Sequence, residues 1–95
     1  MMRFSILTDD MNHCYLCGKY VSPELGNRNI HEVYYGWKRG RSIDTGCCVP
    51  LCIECHTKVH NDHDTDWQLK QECQKEFERR YGFVRFMEIF KRNYL

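Results

Sequence analysis

Cys14-Tyr15-Leu16-Cys17 and Cys52-Ile53-Glu54-Cys55 are two Cys-x-x-Cys motifs, and their cysteines decide the fold of this 95-residue chain. Each motif holds two sulfur atoms close together in a tight turn, and two such pairs can supply the four thiolates of a tetrahedral zinc site. Gly18 follows the first motif and lets the backbone curl its amide groups toward the sulfurs. The spacing therefore predicts one structural zinc ion, bound by Cys14, Cys17, Cys52 and Cys55.

Other uses of the cysteines fit the sequence less well. A thioredoxin-like redox site requires one Cys-x-x-Cys motif beside a βαβ pattern, which this chain lacks. A disulfide framework is typical of secreted domains, but the seven cysteines are odd in number and no signal-peptide pattern is present. Three cysteines lie outside the paired spacing and are expected to be buried apolar groups: Cys47, Cys48 and Cys73. We therefore expect a cytoplasmic protein in a reducing compartment.

Length and charge predict a single small domain covering residues 1–95. A metal clip is valuable to such a short chain because its hydrophobic core is modest. The 14 basic and 13 acidic side chains leave a net charge of only +1, so binding to nucleic acid must use a local patch. No apolar run approaches the roughly 20 residues that span a membrane, so no membrane partner is expected.

Local sequence signals predict an α+β fold. Residues 1–12 form a lead-in of uncertain order. Residues 30–35 and 47–51 have the composition of strands that pair as a hairpin, and residues 36–40 form an exposed break between them. Helical spacing follows from Cys55 to His60, and a Thr-x-x-Gln capping box predicts a second helix from about Asp66. Gly82 then divides the helical part, residues 66–95, into two amphipathic helices whose aromatic stripes form the core.

Histidine and glutamate residues meet where the predicted hairpin joins the helix. His31 and Glu32 lie on the first strand, and His56 and His60 share one face of the helix because they are four residues apart. A single histidine is more often a surface or core residue than a ligand. Three histidines beside a carboxylate instead favour a second site that binds a divalent catalytic metal and activates water.

Three motifs together resemble a known family. They are the first Cys-x-x-Cys motif, the stretch Ile30-His31-Glu32-Val33-Tyr34-Tyr35-Gly36, and Val49-Pro50-Leu51-Cys52-Ile53-Glu54-Cys55-His56 followed by Val59-His60. The combination resembles the HNH family of ββα-metal nucleases. More narrowly, residues 14–95 resemble a small phage and prophage group that includes recombination-associated HNH nucleases.

The resemblance implies a small zinc-stapled domain in which a treble-clef-like knuckle supports a ββα-metal motif, with C-terminal helices. It implies a second divalent metal, Mg²⁺ or Mn²⁺, bound by His56 and His60, and hydrolysis of DNA by an HNH-type endonuclease encoded by a phage or prophage. In this family a histidine or neighbouring carboxylate activates water. The chemistry suits an anionic phosphodiester, because a cation beside the scissile group and a positioned base both favour attack on it.

Two departures from the family pattern leave residue roles open. Many members carry Asp-His or His-His where this chain has His31-Glu32, so either residue can be the base. Because successive strand residues point to opposite faces, and His31 shares its face with the more apolar residues, His31 is favoured. The middle Asn of the family is absent between the strands, where Ser42 or Asp44 can substitute or the role is unfilled.

Basic residues beside the predicted site are expected to contact DNA phosphates. They are Lys38, Arg39 and Arg41, although an exposed charge cluster is equally consistent with a solvated loop. DNA is the expected partner, together with host or phage recombination proteins. Two other functions remain open: a non-catalytic treble-clef module that binds nucleic acid or protein, and a recombination or packaging accessory nuclease that cleaves only with a partner protein.

Overall fold

A two-stranded antiparallel sheet and four α-helices form the fold within residues 3–95, the part of the chain that the computed structural model describes. The elements are β1 (Asn29–Glu32), α1 (Arg39–Thr45), β2 (Cys48–Leu51), α2 (Ile53–Asn61), α3 (His63–Tyr81) and α4 (Phe83–Phe90). The predicted α+β class is therefore confirmed. None of the helices in this range has the length and apolar content that crossing a membrane requires.

The two strands form the predicted hairpin, with His31 opposite Val49 and every residue of β2 buried. The first strand is shorter than predicted, because β1 ends at Glu32 rather than at residue 35. The cause lies at Tyr34, whose backbone is held by a side chain instead of the strand ladder. The Ser42 hydroxyl accepts a hydrogen bond from the Tyr34 amide at 3.1 Å and donates one to the Tyr34 carbonyl at 2.6 Å.

The connection between the strands is helical, which corrects the prediction of an exposed break at residues 36–40. A 3-10 helix, Gly36–Lys38, leads directly into α1. The sequence of α1 contains a glycine and β-branched residues, so its intrinsic helix propensity is low. Burial of Ser42 against the backbone of Tyr34 supplies the missing stabilisation. Gly46 ends the helix in the left-handed conformation, with φ of 76°.

The third helix begins at His63 rather than near residue 66. Asp62 caps it, because its carboxylate accepts hydrogen bonds from the Asp64 amide at 3.2 Å and from the Thr65 hydroxyl at 2.8 Å. Thr65 is thus bound to the preceding cap and does not itself cap the helix. The break at Gly82 between α3 and α4 is as predicted, and its φ of 90° favours glycine.

Aromatic side chains of the hairpin and the last two helices form the core, as their helical spacing predicts. Tyr34, Phe77, Phe86 and Phe90 are buried, and the rings of Tyr34 and Phe90 are centred 4.5 Å apart. The hydroxyl of Tyr34 donates a hydrogen bond to the Lys70 carbonyl at 2.6 Å. The core therefore buries a phenol without leaving its polar atom unpaired.

The lead-in packs against the rest of the fold from residue 3 onward, while Met1 and Met2 of that predicted segment lie outside the described residues. Ile6 is buried, and its amide donates to the Gly46 carbonyl at 2.9 Å. The Arg80 guanidinium donates to the Ile6 carbonyl at 3.1 Å. The segment is therefore tied to both the end of α1 and the surface of α3.

Replacing Gly46 with alanine is expected to destabilise the fold, because a Cβ there would collide with the Phe4 ring and the backbone is left-handed. We expect G46A to lower the free energy of unfolding by about 1 to 3 kcal/mol. The matched control is G40A, since a Cβ on Gly40 within α1 meets no atom within 4 Å. Urea denaturation measures both variants, and equal stabilities would contradict the interpretation.

Candidate functional site

The four cysteines of the two motifs converge, as their spacing predicts. Their Sγ atoms all lie within 4.8 Å of one another, and those of Cys17 and Cys52 are 3.7 Å apart. Tetrahedral zinc has Zn–S bonds of about 2.3 Å, which places its sulfur ligands roughly 3.8 Å from each other. The cluster therefore fits a structural zinc ion.

Backbone geometry explains why these sulfurs meet. Gly18 adopts a φ of 81° and donates its amide to the Cys14 carbonyl at 2.8 Å, which closes the first turn. Cys52 is the N-cap of α2, and its Sγ accepts the Cys55 amide at 3.5 Å. The second motif thus combines a helix start with a pair of thiols, and the cluster joins the first turn to the junction of β2 and α2.

Electrostatics within the cluster favour a bound cation. Burial raises the pKa of the Cys14 thiol, but backbone groups of Cys52, Cys17 and Leu16 outweigh it and bring that pKa to about 6. Burial and the neighbouring thiols raise the pKa of Cys55 well above its usual value. Four adjacent thiolates repel one another, so a divalent cation is needed for all of them to ionise together. Cys47, Cys48 and Cys73 are buried and lie outside this cluster.

A second cluster contains His31 of β1 with His56 and His60 of α2. One ring nitrogen from each lies within 4.8 Å of the others, and the Nε2 atoms of His56 and His60 are 3.1 Å apart. The His31 ring is centred 5.3 Å from that of His56 and 5.4 Å from that of His60. Strand alternation and the family resemblance predict His31 as a base that is separate from the two metal ligands. The structure instead brings all three imidazoles together.

The protonation and hydrogen bonding of these imidazoles suit a metal site. His31 is buried, and among the described residues its Nε2 has no hydrogen-bond partner. Burial, followed by the proximity of His56 and His60, lowers the pKa of His31 to about 4. Burial and His60 also lower the pKa of His56. A neutral imidazole with a free nitrogen is the form that ligates a metal, and a buried nitrogen without a partner is otherwise costly.

Glu32 lies beside the imidazoles in a cleft of about 260 Å³ that is also lined by Tyr35 and Arg39. Its buried carboxylate is 2.6 Å from Nε of Arg39 and 3.3 Å from an Arg3 guanidinium nitrogen. Strand alternation predicts His31 and Glu32 on opposite faces, yet both residues line this cleft. Both residues lie within β1, so alternation along the strand does not exclude either of them from the cleft.

The three basic residues predicted to contact DNA are Lys38, Arg39 and Arg41. They lie in the 3-10 helix and in α1 rather than in a loop. Of the three, Arg39 lines the imidazole cleft. The ammonium group of Lys38 donates to the Tyr94 hydroxyl at 2.9 Å, and the Arg41 guanidinium lies 5.1 Å from the centre of the Trp37 ring. One of the three basic residues therefore borders the imidazole cleft, and the other two do not.

A polar network that no sequence motif predicts lies beside the imidazoles. Oδ2 of Asp66 accepts hydrogen bonds from the Lys70 ammonium at 2.6 Å and from the Tyr35 hydroxyl at 3.0 Å. Lys70 also donates to the Tyr35 hydroxyl at 3.1 Å. The one sequence signal is the four-residue spacing of Asp66 and Lys70, which is common on helix surfaces. Burial distinguishes this pair from ordinary surface pairs.

Removing one thiol from the cysteine cluster is expected to abolish zinc binding and cooperative folding. Zinc contributes on the order of 10 kcal/mol to small domains of this kind, which is comparable to their whole stability. Elemental analysis should find one zinc per wild-type chain and little in C52S, whose circular dichroism should show no cooperative thermal transition. C73A removes a buried thiol outside the cluster and should retain zinc. A C52S variant as stable as wild type would contradict the assignment.

Comparison of the chain with protein-family models, with curated proteins and with solved structures gives no match. The interpretation of the site therefore depends on the residues themselves. They provide a cluster of four thiols and a cluster of three imidazoles beside a carboxylate, all within one small α+β fold.

Proposed function

We propose that the protein is a metal-dependent DNA endonuclease of the HNH type. The observation that supports this most is the convergence of His31, His56 and His60 beside Glu32. A ββα-metal nuclease needs ligands from a hairpin and from the helix that follows it. Here β1 supplies one imidazole, and α2, which directly follows β2, supplies two. The cysteine cluster at the β2–α2 junction would then be the treble-clef-like zinc knuckle of such a domain.

In this proposal the three imidazoles hold one divalent cation, separate from the structural zinc. When bound, it supplies positive charge that polarises the phosphodiester and stabilises the leaving oxygen. Imidazole nitrogens favour transition-metal ions, whereas Mg²⁺ prefers oxygen ligands. The ligand set therefore favours Mn²⁺ or Ni²⁺ over the Mg²⁺ that the sequence analysis also allowed.

Glu32 is the proposed base that accepts a proton from the attacking water. His31 would be occupied as a ligand, since its ring meets both helix imidazoles. The Glu32 carboxylate lines the same cleft and is held in place by Arg3 and Arg39. The Arg39 side chain is 60% exposed, so it can contact a DNA phosphate at the mouth of the cleft while orienting the base.

Ser42 is the proposed substitute for the middle Asn of the family. Its hydroxyl fixes both backbone groups of Tyr34, two residues after Glu32, and so holds the end of β1 against α1. Asp44, the other candidate, is exposed to solvent. Ser42 would therefore act as a positioning residue, without contact with the reacting atoms.

Loss of either helix imidazole is expected to abolish both metal binding and cleavage. H56A and H60A each remove one ligand, and we expect cleavage of supercoiled plasmid to fall by at least about 10²-fold with Mn²⁺ or Ni²⁺. Calorimetric titration with Ni²⁺ should show a second site in wild type that both variants lack, while their zinc content stays unchanged.

The control for these variants is H13A, because His13 is a half-exposed imidazole paired with Asp10 outside the cluster. It should bind metal and cleave as wild type does. Normal cleavage by H56A and H60A would refute the metal site. If wild-type protein binds DNA but never cleaves it, with each metal and with recombination proteins added, the non-catalytic zinc module replaces the nuclease.

Substitutions in the strand doublet should separate the base from the third ligand. E32Q keeps the shape of the side chain but removes the base, so we expect roughly 10² to 10⁴-fold slower cleavage with Ni²⁺ affinity retained. H31A should lose cleavage and Ni²⁺ affinity together. The opposite result, in which H31A binds Ni²⁺ normally while E32Q cleaves normally, would return the base to His31.

A further inference from the structure

A second cleft, of about 380 Å³, adjoins the imidazole cleft and has no part in the proposed chemistry. Tyr35 lines both clefts, and its ring is centred 5.9 Å from His60 and 6.1 Å from His31. The other walls of the second cleft carry aromatic and basic side chains, among them Trp37, Trp67, Tyr94, Lys38, Lys70 and Arg92. The second cleft therefore concentrates basic and aromatic side chains, and Tyr35 lies between it and the proposed metal site.

The aromatic wall is built from α3 and the C-terminal residues. The rings of Trp67 and Tyr94 are centred 5.3 Å apart, and the Arg92 guanidinium lies 5.2 Å from the first ring and 5.3 Å from the second. Lys38 Nζ also lies 5.3 Å from the centre of the Tyr94 ring. Nucleobases stack on aromatic rings such as indole and phenol, and cations held beside those rings neutralise phosphates.

A carboxylate that lines this cleft has one oxygen without a hydrogen-bond partner in residues 3–95. Asp66 is 7% exposed, and its Oδ2 already accepts hydrogen bonds from Lys70 and Tyr35. Its Oδ1 is buried and, among the described residues, has no hydrogen-bond partner. Leaving a buried acceptor unpaired is costly, so the site calls for a ligand with an N–H donor.

We infer that this cleft binds an unpaired nucleobase, so that the substrate is single-stranded DNA or a duplex with unpaired nucleotides next to the scissile phosphate. An unpaired nucleotide combines a flat base for the stacked rings of Trp67 and His63, an N–H edge for Asp66 and a phosphate for Arg92. A base inside a duplex offers neither face nor pairing edge, because its neighbours and its partner cover them. The cleavage part of this inference rests on the proposed function, whereas base binding can be measured separately.

Tryptophan fluorescence provides the test, because both tryptophans of the chain, Trp37 and Trp67, line the cleft. Zinc-loaded protein is titrated, without other divalent metal, with a short single strand of mixed sequence and with a hairpin duplex of the same sequence. Stacking of a base should quench the emission. We expect the single strand to quench it and to bind at least about tenfold more tightly than the duplex.

Variants inside and outside the second cleft make the test specific. R92A removes an exposed guanidinium from the cleft and should weaken single-strand binding about tenfold. W67F should reduce both the quenching and the affinity while retaining zinc, which reports that the variant is folded. The matched controls are R85A and Y81F, because Tyr81 lies 14 residues further along α3 than Trp67, roughly 21 Å away, and Arg85 borders a different cleft together with Tyr81. Both controls should bind as wild type does.

Each outcome bears separately on the two proposals. Quenching by the single strand without cleavage, with each metal and with recombination proteins added, supports the base-binding cleft and refutes the nuclease. Cleavage of intact duplex, with equal affinity for both DNAs and unchanged fluorescence, supports the nuclease and overturns this inference. Unchanged emission at saturation with DNA, or an R92A variant that binds as tightly as wild type, also overturns it. The cleft would then serve another class of ligand, such as a peptide.

Discussion

The meeting of four thiols at the start of α2 is the constraint on which the rest of the structure depends. Cys52 caps this helix and Cys55 lies in its first turn, so the thiol cluster sets where the helix begins and how it is rotated. His56 follows immediately, and His60 lies one turn later on the same face. The structural cluster thereby determines the direction in which two imidazoles point, and the hairpin pairing brings the third to them. The two sites are mechanically linked, although they share no ligand.

Sequence patterns predicted what depends on neighbours in the chain. The paired cysteines, the break at Gly82 and the four-residue spacing of the helix histidines are local signals, and the structure contains each of them. Helix α1 has weak local signals, and it depends on a contact between Ser42 and a backbone segment eight residues away. The buried network of Asp66 and Lys70 is equally hard to predict from the sequence, because the same spacing is common on exposed helix faces. Tertiary packing, rather than the local sequence, determines the structural roles of these residues.

The relation of His31 to Glu32 shows why residue roles are harder to predict than residue types. Alternation along an ideal strand places one of the two in the cleft, and the more apolar face argued for His31. Both residues nevertheless border the cleft, although both lie within β1. Both predicted residues therefore border the cleft, and strand alternation alone does not assign one of them as ligand and the other as base.

Asp62 is the sole residue between α2 and α3, since the first helix ends at Asn61 and the second begins at His63. Its carboxylate is bonded to the first turn of α3 and its amide donates to the Lys58 carbonyl of α2, so the joint has little freedom. The imidazoles on one side of this joint and Trp67 on the other consequently keep a fixed separation. In a nuclease built this way, the nucleotide bound at Trp67 and the bond cut at the imidazoles would be a constant number of nucleotides apart. That number would not depend on the sequence of the strand.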